Sequence, residues 1–256
     1  MKSKIKKELC RDTFDLTNLS ISQKQKILNR FFSIHQQIFL SQDSEDERYR
    51  NEIIESHAKN ITLEIYKTKQ YRDVGFCILF RFKLNIEDKS ITVFRSAAGL
   101  LPEYRHNLAT LPGGLLYVLK HKLVHPWEEM YYYGIYVHPS SYHLLYKYYP
   151  LIYPSLKKQT PTATKKIIEF LKHYFDTRPA ISQSELCGYT GWVTIDKDQE
   201  LMKKKKQQYP DVAYFHEKNP KFTEGDGLIV LIPVKIHFIF KSLFRLTFAR
   251  FFSPPS

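Results

Sequence analysis

Two apolar β-type runs bracket one helical stretch between residues 91 and 137, and this order constrains the chain more than any other feature. Ile91-Thr92-Val93-Phe94 leads to the turn Leu100 to Leu111. Leu115-Leu116-Tyr117-Val118-Leu119 then spaces like a helix, and Met130 to Val137 is a continuous apolar and aromatic run. A strand–helix–strand unit of this kind belongs to a mixed α/β or α+β plan. A strand that turns sharply into a helix leaves the first N–H groups of the helix unpaired in the turn. That makes an anion site, and Arg105 beside it adds a full positive charge.

The flanking pattern extends the plan. Ile27, Leu28, Phe31, Phe32, Ile34, Ile38 and Phe39 recur at helical spacing after a cap at Ser20 or Ser22, and 45–59 reads as a second helix. Ile61 to Tyr66 alternates like a half-buried strand. Val74 to Leu84 alternates for longer, and 85–89 supplies a hairpin turn into the strand at 91–98. After Met130–Val137, His138-Pro139-Ser140-Ser141 opens another helix, for which Ser140 and Ser141 are the expected caps. The stretch 155–166 reads as a polar linker, 165–175 as a short amphipathic helix and 178–227 as loop-rich. The four lysines at 203–206 read as a solvated face. Gly225 and Gly227 shape a turn that feeds the apolar run from Leu228, and the adjacent His216 and Glu217 are too few to indicate a metal.

Composition narrows the class. With 256 residues, 43% hydrophobic and 25% charged, the chain is globular, and 18 Tyr with 18 Phe make ring packing dominant in its core. Nine glycines are too few for a propeller, a solenoid or a glycine-rich phosphate loop. A formal charge of +13 favours acidic partners. Cys10, Cys77 and Cys187 are scattered without CxxC or Cys/His spacing, so no metal site and no disulfide framework are expected, and a reducing cytoplasm is the default. The basic N-terminus lacks an apolar h-region and does not read as a secretory signal.

Leu101-Pro102-Glu103-Tyr104-Arg105, followed by Leu108-Ala109-Thr110-Leu111, resembles the acyl-CoA-binding turn of the GNAT acetyltransferase superfamily. The family writes that turn with two glycines, and here His106-Asn107-Leu108-Ala109-Thr110 holds neither. Val137 to Tyr149 is similar to the family's next strand and helix, whose tyrosine acts as general acid toward the leaving thiolate; Tyr146 holds that position. The resemblance spans roughly residues 20–150. It implies an α+β fold with a GNAT-like central mixed sheet flanked by helices, and an acyl-thioester-binding core over 1–154; the residues after 155 lie beyond the resemblance and read as a C-terminal extension over 155–256 that packs on the core as one continuous domain and ends in an apolar, basic helix. It also implies acyl-CoA or acyl-carrier-protein thioester as co-substrate, bound by Leu101, Arg105, His106, Asn107, Leu108, Ala109 and Thr110.

N-acyl transfer needs a base for the attacking amine, donors for the oxyanion and an acid for the thiolate. Tyr146, His138 and Glu103 are the catalytic candidates, while Arg95 on the preceding strand could face a substrate carboxylate or water. A Ser–His nucleophile at Ser140 or Ser141 has no GxSxG support. Residues 234–252 form an apolar helix in which His237, Lys241 and Arg245 make a cationic stripe. Each charge near a bilayer centre costs roughly 2.5–3.5 kcal/mol, so a helix lying on an anionic membrane surface fits better than a span. The expected function is therefore N-acyl transfer in the cytoplasm, with membrane association as an added expectation. The rival is a non-catalytic, membrane-peripheral binding protein. Nucleic-acid binding ranks last, because no recognition motif accompanies the charge.

Overall fold

The computed structural model describes residues 9–105, 110–195 and 208–252. The chain runs through β1 (Cys10–Asp15), α1 (Ile21–Ile38), β2 (Phe39–Leu40), α2 (Asp43–Ile54), β3 (Asn60–Lys67), β4 (Asp73–Ile86) and β5 (Lys89–Leu100). A 3₁₀ turn (Pro102–Tyr104) precedes α3 (Thr110–Val124), β6 (Glu129–Tyr136), α4 (Pro139–Tyr148) and α5 (Thr162–Tyr174). Then come β7 (Arg178–Pro179), β8 (Cys187–Tyr189), β9 (Val193–Thr194), α6 (Pro210–Lys218), β10 (Asp226–Pro233) and α7 (Ile236–Phe252).

Eight strands form one sheet in the order β1-β3-β4-β5-β6-β10-β8-β7, and β2 pairs with β9 apart from it. All its pairings are antiparallel except β5 with β6, which α3 joins as the crossover. The fold is thus the mixed α+β sheet flanked by helices that the sequence implied. The expected helices, the β4–β5 hairpin and the strand at 228–233 all form. The second helix is shorter than expected, starting at Asp43 and ending at Ile54.

Alternation divides the core between the two faces of the sheet. Phe76, Ile78 and Phe80 of β4, Val93 of β5 and Tyr133 of β6 pack with Leu28, Phe31 and Phe32 of α1 in the larger core. Leu79, Phe94, Met130, Leu228, Val230 and Ile232 take part in two smaller clusters with α3, α4, α6 and α7. Ser20, rather than Ser22, caps α1 in a reciprocal box with Gln23.

The N-cap of α4 differs from expectation. His138 occupies it, with Pro139 at the first helical position, and the ring Nδ1 accepts from the Ser140 N–H at 3.2 Å. Ser140 and Ser141 therefore lie inside the helix. Proline at the first turn fixes where the helix begins, two residues earlier than a cap at Ser140 would place it.

The turn entering β6 is held by Glu128, whose carboxylate accepts from Lys83 Nζ and Thr92 Oγ1 at 2.6 Å each. Burial alone would raise its pKa, but bonds from Lys83, Thr92 and His121 outweigh it and bring the value down to about 2. The stability this carboxylate contributes is fully present above its unfolded pKa, about 4.3, and is lost as pH falls toward 2. Glu128→Gln should cost about 2 kcal/mol at pH 7 and only about a quarter of that by pH ~2.5. Urea unfolding of both proteins across that range checks this; a cost that does not change with pH would contradict it.

Candidate active site

Strands β5 and β6 pair in parallel only from Ile91↔Glu129 to Arg95↔Tyr133. β5 continues to Leu100 paired with β4, and β6 continues to Tyr136 paired with β10. Beyond Arg95 and Tyr133 the facing edges of the two strands make no ladder bonds to each other. A strand edge released in this way can hydrogen-bond an extended ligand.

A hydrogen-bonded tyrosine cluster lies beside the point where the strands part. Tyr132, Gly134 and Tyr136 alternate onto one face of β6, and Ser96 lies on the same face of β5, one position past the last ladder pair. Ser96 Oγ and Tyr132 Oη are hydrogen-bonded, and the Tyr136 hydroxyl bonds that of Tyr132. A Cβ on Gly134 would come within 2.8 Å of the Tyr136 ring, so the ring lies back over the glycine. Tyr149, Tyr146 and both β6 tyrosines pack against the cluster around Tyr142 and Leu145.

Burial pushes the Tyr132 phenol up to about 12, and raises Tyr136 and Tyr149 as well. Such phenols stay protonated at neutral pH. Toward an ordinary thiolate, with a pKa of about 8.5, proton transfer from a phenol near 12 is uphill by roughly 5 kcal/mol. Hydrogen-bond donation to a developing oxyanion needs no transfer, and is the task this group can perform. Tyr132, Tyr136 and Ser96 were not singled out by sequence reasoning. The Tyr-x-Gly-x-Tyr spacing on a strand was the available signal.

The sequence candidates occupy several places. Tyr146 is half-buried on α4, its ring 6.3 Å from that of Tyr142 and 5.0 Å from Lys157 Nζ. His138, at the end of β6, uses its Nδ1 lone pair for the α4 cap, so taking up a proton there means giving up the cap. Glu103 is exposed and faces Arg72 at 3.4 Å, beside the β3–β4 turn and on the side of β5 away from β6. Arg105 donates from Nε to the Leu100 carbonyl at 3.1 Å and from Nη2 to the Ile195 carbonyl at 2.7 Å. Leu101 is buried in the larger core, and its N–H bonds the Val74 carbonyl at 2.9 Å. Arg95 turns to the opposite face, paired with Glu52 of α2 and lying 4.9 Å from the centre of the Phe175 ring. The structure thus gathers Tyr146 with the β6 tyrosines around one cluster and leaves Glu103 apart from them.

His106, Asn107, Leu108 and Ala109 lie outside the described residues; Thr110 begins α3. Pro112 in the first turn has no N–H, which leaves one fewer donor for an anion at this helix start. Gly113 and Gly114 follow it, and a Cβ on Gly114 would meet nothing within 4 Å. The two glycines nearest the turn thus lie inside the helix, several residues after the positions of the family pattern, and Gly114 borders open space.

Within residues 10–148 the order is β–α–β–α–β–β–β–α–β–α, with the short β2 outside the main sheet and a single parallel pair, β5 with β6. The sequence matches no family model and no curated protein. Among solved structures, the chain is similar to a bacterial toxin at 12% identity and TM-score 0.34, covering 65% of this chain and 96% of the toxin. A probable N-acyltransferase from Enterococcus faecalis gives 12% identity and TM-score 0.34; the match covers 69% of this chain and 45% of that one. A spermidine/spermine N-acetyltransferase from Vibrio cholerae gives 14% identity and TM-score 0.28, covering 53% and 74%.

Proposed function

We propose that this protein is an N-acyltransferase that takes an acyl group from acyl-CoA or an acyl-carrier-protein thioester and passes it to an amine. The observation that supports this most is the parting of β5 and β6 beyond Arg95 and Tyr133, beside a group of hydroxyl donors. An extended thioester arm laid along the released edge of β5 brings its carbonyl toward Tyr132 and Tyr136. Its phosphates or acidic carrier then lie toward the turn at Leu101–Thr110, attracted by a chain of net charge +13.

In this reading Tyr132 and Tyr136 stabilise the oxyanion, and Tyr146 protonates the departing thiolate. His138 accepts the proton from the attacking amine, exchanging its cap bond for it. Glu103, with Arg72, contributes at the phosphate turn rather than at the reacting carbon. The experiment is thiol release from acetyl, medium-chain and long-chain acyl-CoA, and from acyl carrier protein, against a panel of polyamines, amino sugars and lysine peptides. Release that depends on both thioester and amine, with mass-spectrometric detection of the amide, supports the reading. Thioester that stays intact with every acceptor counts against it.

A further inference from the structure

The outer faces of α3 and α7 carry a surface that acyl transfer does not use. Both helices pack on the same side of the sheet, where Val118 of α3 and Ile239 of α7 share a cluster with Phe94 and Met130. Their opposite faces are apolar. On α3, Leu116, Leu123 and Val124 are exposed at helical spacing, and Trp127 just beyond the helix is 96% exposed. On α7, Phe240 and Phe244 are exposed one turn apart. These six make up half of the twelve large apolar side chains exposed among the described residues. Singly scattered apolar residues need no explanation, whereas half of those exposed, gathered on two helices that pack together, mark a contact surface.

Charge identifies the occupant. Exposed Lys120 lies within the α3 stripe, and exposed His237, Lys241 and Arg245 flank the two phenylalanines of α7. There is no Asp or Glu from residue 110 to residue 127, and none after Asp226; Glu128 and Glu129, which follow Trp127, are bonded to Lys83 and Thr92 and to Tyr131 respectively. No described helix is long and apolar enough to cross a membrane. Aromatic and aliphatic groups set among cations, with carboxylates only at the Trp127 end, match the requirements of a lipid interface. The rings enter the headgroup boundary while the long basic side chains reach up to phosphates.

We propose that the α3–α7 face docks on an anionic lipid surface, with Trp127, Leu123, Val124, Phe240 and Phe244 inserted and Lys120, Lys241 and Arg245 on the headgroups. This stands independently of the acyl-transfer reading. If both hold, the helix that begins at the thioester turn lies along the bilayer.

The test uses the full chain and vesicles of phosphatidylcholine alone or with roughly 30% phosphatidylserine. Co-sedimentation should be at least about tenfold stronger with the anionic vesicles, and should be accompanied by a blue shift of tryptophan emission. Combined Trp127→Ala, Phe240→Ser and Phe244→Ser should lose binding about tenfold or more and abolish the shift. Lys241→Gln with Arg245→Gln, which leaves apolar packing intact, should remove the preference for phosphatidylserine. Three outcomes overturn the proposal: no vesicle binding by the wild type, unchanged binding by both variants, or a lipid-free dimer that the phenylalanine substitutions dissociate. The last would assign the face to a second copy of the chain.

Discussion

Phe76→Ala should be the most destabilising single substitution among those considered, costing about 3–5 kcal/mol. Phe76 sits in β4 with no exposed surface, its ring centre 4.7 Å from that of Phe31 in an edge-on arrangement and 5.8 Å from that of His35. It joins the middle of the sheet to α1, and its ring also meets Phe39. Deleting the ring leaves a cavity that rigid strand backbone on one side and α1 on the other cannot close. With total stability commonly about 5–15 kcal/mol, the midpoint of thermal unfolding should fall by roughly 10 °C or more. Calorimetry checks this; a drop of only a degree or two would mean that α1 collapses into the space and that the core is looser than its burial indicates.

The second large effect belongs to the site. Tyr132→Phe keeps the ring and removes only the hydroxyl that bonds Ser96 and Tyr136. Stability should fall by about 1 kcal/mol, the ordinary worth of such a bond. If Tyr132 donates to the oxyanion, kcat should fall about 100-fold with little change in KM for the thioester, as for loss of one oxyanion donor. A fall in stability without a fall in kcat would assign the hydroxyls to packing alone, and Tyr146→Phe would then become the deciding variant.

Much of this architecture is readable from the sequence wherever burial imposes a period. The spacing of Ile27 to Phe39 and the alternation from Val74 to Leu84 report faces that meet the core, and both elements form as expected. β1 escapes because it is an edge strand held by polar contacts. Arg11 bonds Glu64 at 2.8 Å, so its face toward β3 is written in charges rather than in apolar alternation. α6 escapes for a different reason. It is nine residues long within a polar stretch, and His143 of α4 fixes it by pairing with Asp211 at 2.7 Å. A contact between residues 68 positions apart leaves no local trace, although Pro210 at its first position was a helix-start signal.

Site residues are harder to read than elements. Tyr146 is a candidate through its place in a family-like motif, and the expected strand and helix on either side of residues 101–109 are present as β5 and α3. The hydroxyl group at Ser96, Tyr132 and Tyr136 is invisible because Met130–Val137 reads as an unbroken apolar strand, in which any tyrosine passes for core. Arg105 was expected to face phosphate, yet two backbone carbonyls, Leu100 and Ile195, claim its Nε and Nη2. The second of these comes from the residue just after β9, 90 positions away, and could not be foreseen from the turn itself.

The most direct test of the account is thermal unfolding of the purified protein with acetyl-CoA, medium- and long-chain acyl-CoA and acyl carrier protein, repeated with Arg105→Ala. A thioester at about 100 times its Kd should add about 2.7 kcal/mol, raising Tm by roughly 5–10 °C. We expect that shift for one acyl class and a smaller one, measured from the variant's own baseline, for Arg105→Ala, which frees the end of β5 from the bonds that Arg105 makes to the Leu100 and Ile195 carbonyls. No shift with any thioester at saturating concentration would contradict thioester binding between β5 and β6, and with it the proposed acyl transfer.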